Sequence, residues 1–307
     1  MDRRAAIVLG VIFGGLFLSL FAFLVLAISV VNRAGVGSKG YGSGNVGLIE
    51  VKGPITESEK TVRDLHRFGE DDAIKAVIVR VDSPGGAVAP SQEIQAEIER
   101  IKERKPVVVS MGNLAASGGY YVATAATRIV ANPGTITGSI GVIAQLPNVS
   151  EIADRIGFQV NTVKSGAAKD VGNPFRPFTE SDRAIYQSVI DDVHKQFVGA
   201  VVAGRNLPEE DVRAIADGRV LTGEQAMEAG LVDELGNFQD AVSLAGELGG
   251  VEGEPRLVEP RKHDTFPFER LLSQSVRDAI RAAAEELRDH LRGGSGSPGP
   301  QYLLPGY

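Results

Sequence analysis

The sequence predicts an α/β domain on a parallel sheet, preceded by a membrane-spanning helix and followed by a helical extension. Three observations carry this reading. Runs of β-branched residues alternate with segments of helical periodicity across residues 46–250, two strand-to-helix turns each hold a glycine pair, and residues 5–31 carry no charge at all. Strand, helix, strand, helix in succession implies crossover units and therefore parallel strands.

Taken in order, the first element is the uncharged run from Ala5 to Val31, "AAIVLGVIFGGLFLSLFAFLVLAISVV". As a helix it reaches roughly 40 Å, enough to span a bilayer with some tilt, and it is longer than the apolar core of a cleaved leader. Residues 1–31 are therefore expected to form a membrane anchor. Arg3 and Arg4 favour a cytoplasmic N-terminus, against a weaker opposing bias from Arg33 and Lys39. The domain that follows is then expected on the extracytoplasmic side of the cell membrane. Residues 32–45, rich in Gly and Ser, read as a flexible linker.

Strands are predicted at Val46 to Val51, Ile74 to Val81 and Pro106 to Met111, with a further short one at Phe158 to Val163. Helices are predicted at Glu57 to Phe68 and at Ser91 to Arg104, where Ile94, Ile98 and Ile101 share a face. Later helices are expected over Glu180 to Val202, Pro208 to Ala216, Gly223 to Ala229 and Asn237 to Leu248. The domain closes near residue 250. Residues 251–292 form an extension whose Phe268, Leu272, Val276 and Ile280 mark an amphipathic helix, and 293–307 read as a flexible tail.

Composition narrows the chemistry. A formal charge of −7 and the lack of any Lys/Arg-rich run argue against nucleic acid as a partner. With no cysteine, disulfides, thiolate catalysis and Cys-built zinc sites are excluded.

The candidate site begins at Ser117, in "NLAASGGYYVATAA". A serine opening a helix is ordinarily a cap, its oxygen accepting from amides two or three residues on. Here it follows a buried strand and precedes a glycine pair, so its hydroxyl would sit among outward-facing amide donors that could hold an oxyanion. A second glycine pair, in Asp82-Ser-Pro-Gly-Gly86, follows the neighbouring strand and precedes the next helix. Adjacent parallel strands would bring both sets of donors to one end of the sheet.

A serine nucleophile needs a base. The four histidines, His66, His194, His263 and His290, lie far in sequence from the glycine turns and are expected at the surface, with His194 the one to consider for a Ser-His arrangement. Lysine is better placed, in the loop-forming stretch "KSGAAKDVGNP" that holds Lys164 and Lys169. A lysine with an ordinary pKa of about 10.4 is neutral in roughly one molecule in 2500 at pH 7, a cost of about 4.6 kcal/mol. A lysine base therefore demands desolvation. Asp170 would oppose that shift if its carboxylate faced the amine, and it is expected to point away.

The segments "VDSPGG", "MGNLAASGGYYVATAATRIVANPGTITGSIGV", "VKSGAAKDVGNPFRPFTESDR" and "ADGRVLTGEQAMEAGLVDELG" together resemble the bacterial signal peptide peptidase A family, in its short single-domain form. These are Ser-Lys serine proteases of the caseinolytic-protease (ClpP) and crotonase superfamily. The resemblance runs collinearly from Gly47 to Leu248 and implies a ClpP/crotonase-like repeated core over residues 46–250. It implies Ser117 as nucleophile, Lys169 as general base in the "SGxxKD" portion, Gly86 and Gly118 as oxyanion-hole amides, and Ser139 in "TGSIGV" as the group orienting the lysine. It implies no metal and no organic cofactor, apolar remnants of cleaved signal peptides as substrates, and assembly into a homo-oligomeric ring or bowl. The alternatives left open are a related membrane peptidase acting on other membrane-protein fragments, a crotonase-type acyl-CoA enzyme, and a noncatalytic scaffold on the same fold.

Overall fold

The computed structural model describes residues 44–260. The expected anchor at 1–31, most of the linker, the amphipathic stretch from Phe268, the tail, His263 and His290 lie outside the described residues. Within the described residues no helix is long and apolar enough to cross a membrane.

An eight-stranded sheet forms the centre, its strands in the spatial order Val220–Thr222, Ile136–Gly138, Val107–Ala116, Ala76–Ser83, Val46–Lys52 and Leu257–Val258, with Arg128–Ala131 pairing both Val107–Ala116 and Glu234–Leu235. The three predicted inner strands are present as β1 (Val46–Lys52), β2 (Ala76–Ser83) and β3 (Val107–Ala116), all parallel. They are connected by α1 (Glu59–Glu70) and α2 (Val88–Lys102), close to the predicted helices. The near-continuous apolar runs of β2 and β3 suit strands covered on both faces. Val77, Val79 and Val81 face a large core shared with Leu65, Phe68, Ile94 and Ile98, whereas Ala76, Ile78 and Val108 face a smaller core under Ala241, Val242 and Ala245. Those last three belong to α8 (Phe238–Leu248), which covers the opposite face.

Five strands escaped the sequence reading: β4 (Arg128–Ala131), β5 (Ile136–Gly138), β6 (Val220–Thr222), β7 (Glu234–Leu235) and β8 (Leu257–Val258). Each has four residues or fewer, too short for a period-two signal to stand out. The strand expected at Phe158 to Val163 does not form. Residues 158–163 are exposed and without regular structure, following the short helix α4 (Ser150–Arg155), with no neighbouring strand to supply hydrogen bonds. The remaining helices are α3 (Gly118–Ala123), α5 (Glu180–Arg205), α6 (Glu209–Ile215) and α7 (Gly223–Glu228).

One irregularity in the sheet positions the site. Val81 pairs with Met111, but Ser83 pairs with Ala115, so two steps along β2 match four along β3. The displaced backbone is satisfied by side chains: Leu114 N–H donates to Asp82 Oδ1 at 3.2 Å, and Thr135 Oγ1 donates to Gly112 O at 2.7 Å. Beyond this bulge, β3 leaves β4 and pairs with β5, Ala116 opposite Gly138. The strand thereby runs on past Met111, its predicted end, directly into Ser117.

Phe68, on α1, is completely buried in the large core, its ring against Gly47 of β1. Phe68→Ala is expected to destabilise the fold by about 3–5 kcal/mol. The measurement is denaturant unfolding, with a lower midpoint and an unchanged slope.

Candidate active site

Ser117 stands at the junction of β3 and α3 with φ 53° and ψ −122°, a conformation that L-residues seldom adopt. Its backbone is held at both sides: Ser117 N–H donates to Gly138 O at 2.9 Å, and Tyr121 N–H donates to Ser117 O at 2.8 Å. The hydroxyl makes no capping hydrogen bond. The cap explanation for this serine therefore fails, and its oxygen is left facing a cavity.

Among the described residues only three non-glycines have positive φ: Ser117, Ser139 and Asn206. Asn206 ends α5 in the left-handed conformation that Asn tolerates as a helix terminator. The other two are the two serines named from the sequence. Strain of this kind persists where surrounding structure over-determines the backbone, and it gathers at functional sites. For Ser139 the restraint is its N–H donating to Arg219 O at 2.8 Å.

The two glycine turns meet, as parallel pairing requires. Gly85, at φ 93°, lies so close to the second turn that a Cβ there would fall 2.5 Å from Gly118 N. A Cβ on Gly118 would fall 3.2 Å from Gly86 N and 2.6 Å from Ser91 Oγ. Gly86 is itself pressed against Ile55, whose carbonyl oxygen would lie 2.1 Å from an added Cβ. Larger side chains are excluded from these turns by backbone contact. Ile55 N–H donates to Gly85 O and Ala87 N–H donates to Ile55 O, which leaves the Gly86 amide between them unengaged. Neither Gly86 nor Gly118 N–H donates to any described residue.

Ser117, Ser139, Gly86 and Gly118 line one cavity of about 370 Å³. Its walls add residues that the sequence reading did not single out: Val88 and Gln92 from α2, Tyr121 from α3, and Val193 and Phe197 from α5. The Tyr121 and Phe197 rings pack with centroids 5.1 Å apart. Burial pushes the Tyr121 phenol above its ordinary pKa, opposed by a hydrogen bond with the Gln92 side chain. Tyr121 lies one helical turn after Ser117, and Val193 and Phe197 are spaced i, i+4; those spacings were the available signal.

The two lysines separate cleanly. Lys164 Nζ donates to Asp170 Oδ1 at 2.6 Å and to Ala167 O at 3.0 Å. Its lone pair is not on offer in that arrangement: the amine is committed as a donor to a carboxylate and a carbonyl within its own loop. Lys169, in the 3₁₀ turn Ala167–Asp170, has no side-chain hydrogen bond or ion pair and is exposed. Asp170 does point away from it, toward Lys164 and Arg176, and these two cations hold the Asp170 carboxyl below its usual range. Lys169 does not line the Ser117 cavity within the single chain, and Ala167 and Ala168 beside it are exposed as well. His66 is exposed as expected. His194 is a correction: it is half-buried on α5, its Nε2 buried without a partner, and it is not among the cavity residues.

The strain at Ser117 yields a measurement. Ser117→Gly relieves the positive φ and is expected to exceed Ser117→Ala in stability by about 1 kcal/mol. Ser117→Ala itself is expected to match wild type within about 0.5 kcal/mol, because no cap bond is lost. Thermal unfolding of the three proteins reads both differences.

Comparison with known proteins places the chain in a family. The model for peptidase family S49 matches residues 99–252, half of the chain, a span that includes Ser117, Ser139 and Lys169. A putative protease of Synechocystis sp. is 43% identical over 208 residues, covering 67% of this chain and 75% of that protein. A putative signal peptide peptidase SppA of Enterococcus faecium is 31% identical over 305 residues, covering 87% of each chain. Protease 4 of Haemophilus influenzae is 36% identical over 213 residues, which is 66% of this chain and 34% of that protein. Family match and relatives together assign the chain to peptidase family S49, the SppA family of proteases.

Proposed function

We propose that this protease is a serine endopeptidase with a Ser-Lys dyad, Ser117 as nucleophile and Lys169 as general base, acting on apolar remnants of cleaved signal peptides. The observation that carries the reading is the strained Ser117, its hydroxyl uncommitted, beside two unengaged amides on an apolar-walled cavity. Neutral Lys169 Nζ takes the Ser117 Oγ proton as Oγ bonds to the scissile carbonyl carbon. Negative charge on the carbonyl oxygen is held by Gly86 and Gly118 N–H. Collapse breaks the C–N bond, the lysine ammonium protonates the leaving amine, and water then repeats the sequence to release the acid and restore Ser117. Ser139, on the same cavity, is the group that orients the lysine amine. The glycine turns converging at one end of a parallel sheet support the ClpP/crotonase-like description of the core.

Val88, Val193 and Phe197 favour apolar substrate side chains. A membrane anchor in residues 1–31 would keep the site close to where such peptides remain, on the extracytoplasmic side. The base must be desolvated, and the exposed Lys169 needs a cover for that. Ile143 at 82%, Ile156 at 75% and Val163 at 101% exposure leave the Lys169-bearing stretch with unpartnered apolar side chains. In our reading a second copy of the chain covers them in a ring or bowl, and Lys169 of one copy serves Ser117 of the next.

Hydrolysis of a quenched fluorescent apolar peptide tests the dyad. Ser117→Ala and Lys169→Ala are each expected to lose at least about 10³-fold in kcat/KM. Co-assembly of the two inactive variants is expected to recover activity; with full subunit mixing and no recovery, the two residues would have to act within one chain. Wild-type rates in both variants would end the dyad assignment. Cleavage of unrelated membrane-protein fragments in preference to signal-peptide segments would replace the substrate assignment and leave the chemistry.

A further inference from the structure

We propose that Arg176 is a positioning residue for the general base: it draws the Asp170 carboxylate away from Lys169, so that the lysine can lose its proton. The inference rests on Lys169 being the base. Arg176 Nε donates to Asp170 Oδ2 at 3.1 Å, and Nη2 donates to Asp170 Oδ1 at 3.2 Å and to the Asp170 carbonyl at 3.0 Å. The same guanidinium reaches Asp182, with Nη2 to Oδ1 at 2.9 Å and Nη1 to Oδ2. Lys164 completes the group through Asp170 Oδ1. Two cations and two carboxylates thus form a closed set, with the Asp170 and Asp182 side chains only 10% and 5% exposed.

Lys169 sits next to Asp170 in the chain yet takes no part in this set. Without Arg176 the Asp170 carboxylate would be shared between Lys164 and the nearest amine, and an adjacent carboxylate stabilises the ammonium form that a base must leave. The guanidinium suits the task because its planar fork binds two carboxylates at once, which an ammonium does not. The cluster also fixes where the turn sits. Asp182 is the third residue of α5 and closes its capping box, its carboxylate accepting from Thr179 N–H at 3.0 Å while its own N–H donates to Thr179 Oγ1 at 3.2 Å. The Lys169 turn is thereby tied to the helix that carries Val193 and Phe197 to the cavity.

The charged and titratable groups around the turn are Lys164 and Asp170 in its own loop, Arg176 beyond it, and Asp182 and Tyr186 from α5. The Tyr186 hydroxyl lies against Gly172, 2.6 Å from where a Cβ would be. Asn148 Nδ2, which donates to Arg176 O at 2.7 Å, adds no charge. Both carboxyls are held below their ordinary range, Asp170 by its hydrogen bonds from Lys164 and then Arg176, and Asp182 chiefly by its hydrogen bond from Arg176.

The pH dependence of kcat/KM on an apolar peptide, measured on the full chain, decides the matter. The rising limb reports deprotonation of the base. Arg176→Ala is expected to move its midpoint up by about one unit, and Asp170→Asn to move it down, because the carboxylate beside Lys169 is then gone and Lys164 is left without its partner. The double variant is expected to return the midpoint to near wild type, and Arg176→Lys to move it up by less than Arg176→Ala does, since an ammonium keeps the charge but does not hold both carboxylates. If Arg176→Ala lowers the plateau without moving the midpoint, or if Asp170→Asn fails to reverse the shift, Arg176 only braces the fold and the inference falls. Should Arg176→Ala not fold, the Asp170→Asn midpoint decides, an unmoved limb overturning the proposal. Wild-type activity in Lys169→Ala at every pH marks a different failure, that of the base assignment itself.

Discussion

The structure depends on the contact between two glycine turns at the C-terminal ends of β2 and β3. Parallel strands put successive strand-to-helix turns at the same sheet edge, but not automatically in contact. Contact here comes from the bulge that lets four residues of β3 oppose two of β2, and from the lack of side chains at Gly85, Gly86 and Gly118. The margin is narrow. Added Cβ atoms at these positions would lie between 2.1 and 2.6 Å from neighbouring atoms, so the donors converge only because nothing larger than hydrogen occupies those sites. The same closeness leaves Gly86 and Gly118 N–H without acceptors, which costs stability unless a ligand oxygen arrives.

Much of this was legible before any coordinates. The inner parallel strands, the helices between them and the shared end of the glycine turns follow from apolar runs, helical periodicity and Pro-Gly-Gly punctuation, all local signals. The short strands were illegible because two to four residues carry no period, and because β4, β5 and β7 exist by pairing with β3 and with each other rather than by propensity. The misplaced strand at Phe158 to Val163 shows the converse. Val160 and Val163 have the propensity, but a strand without a partner leaves its backbone groups to water. At the site, Ser117 and its glycines could be named from motif and spacing, whereas the far wall could not: Val193 and Phe197 lie more than seventy residues away and look like any apolar pair on a helix.

The electrostatics of the lysine loop were only partly readable. That Asp170 turns from Lys169 could be anticipated from what a neutral base requires. That Arg176 and Asp182 do the turning could not, because ion-pair geometry depends on how the loop returns to the start of α5. The pairing also resolves an ambiguity of composition. Composition alone leaves Lys164 and Lys169 equivalent; the family resemblance singles out Lys169, and the structure separates the two by committing Lys164 to a carboxylate.

Strain and incompleteness at the site have one physical origin. Ser117 carries a conformation costing on the order of 1–3 kcal/mol, and it persists because bonds to Gly138 and Tyr121 fix the backbone on either side. The hydroxyl is thereby aimed into the cavity instead of folding back to cap α3. An uncommitted hydroxyl, two uncommitted amides and an exposed lysine are each unfavourable or idle in the isolated chain. In the proposed mechanism they are the separate parts of one reaction centre, with Ser117 and the two amides already side by side on the cavity. The base proposed for it, Lys169, is the part still in water, so on that proposal the step that desolvates this amine is the step that switches the chemistry on.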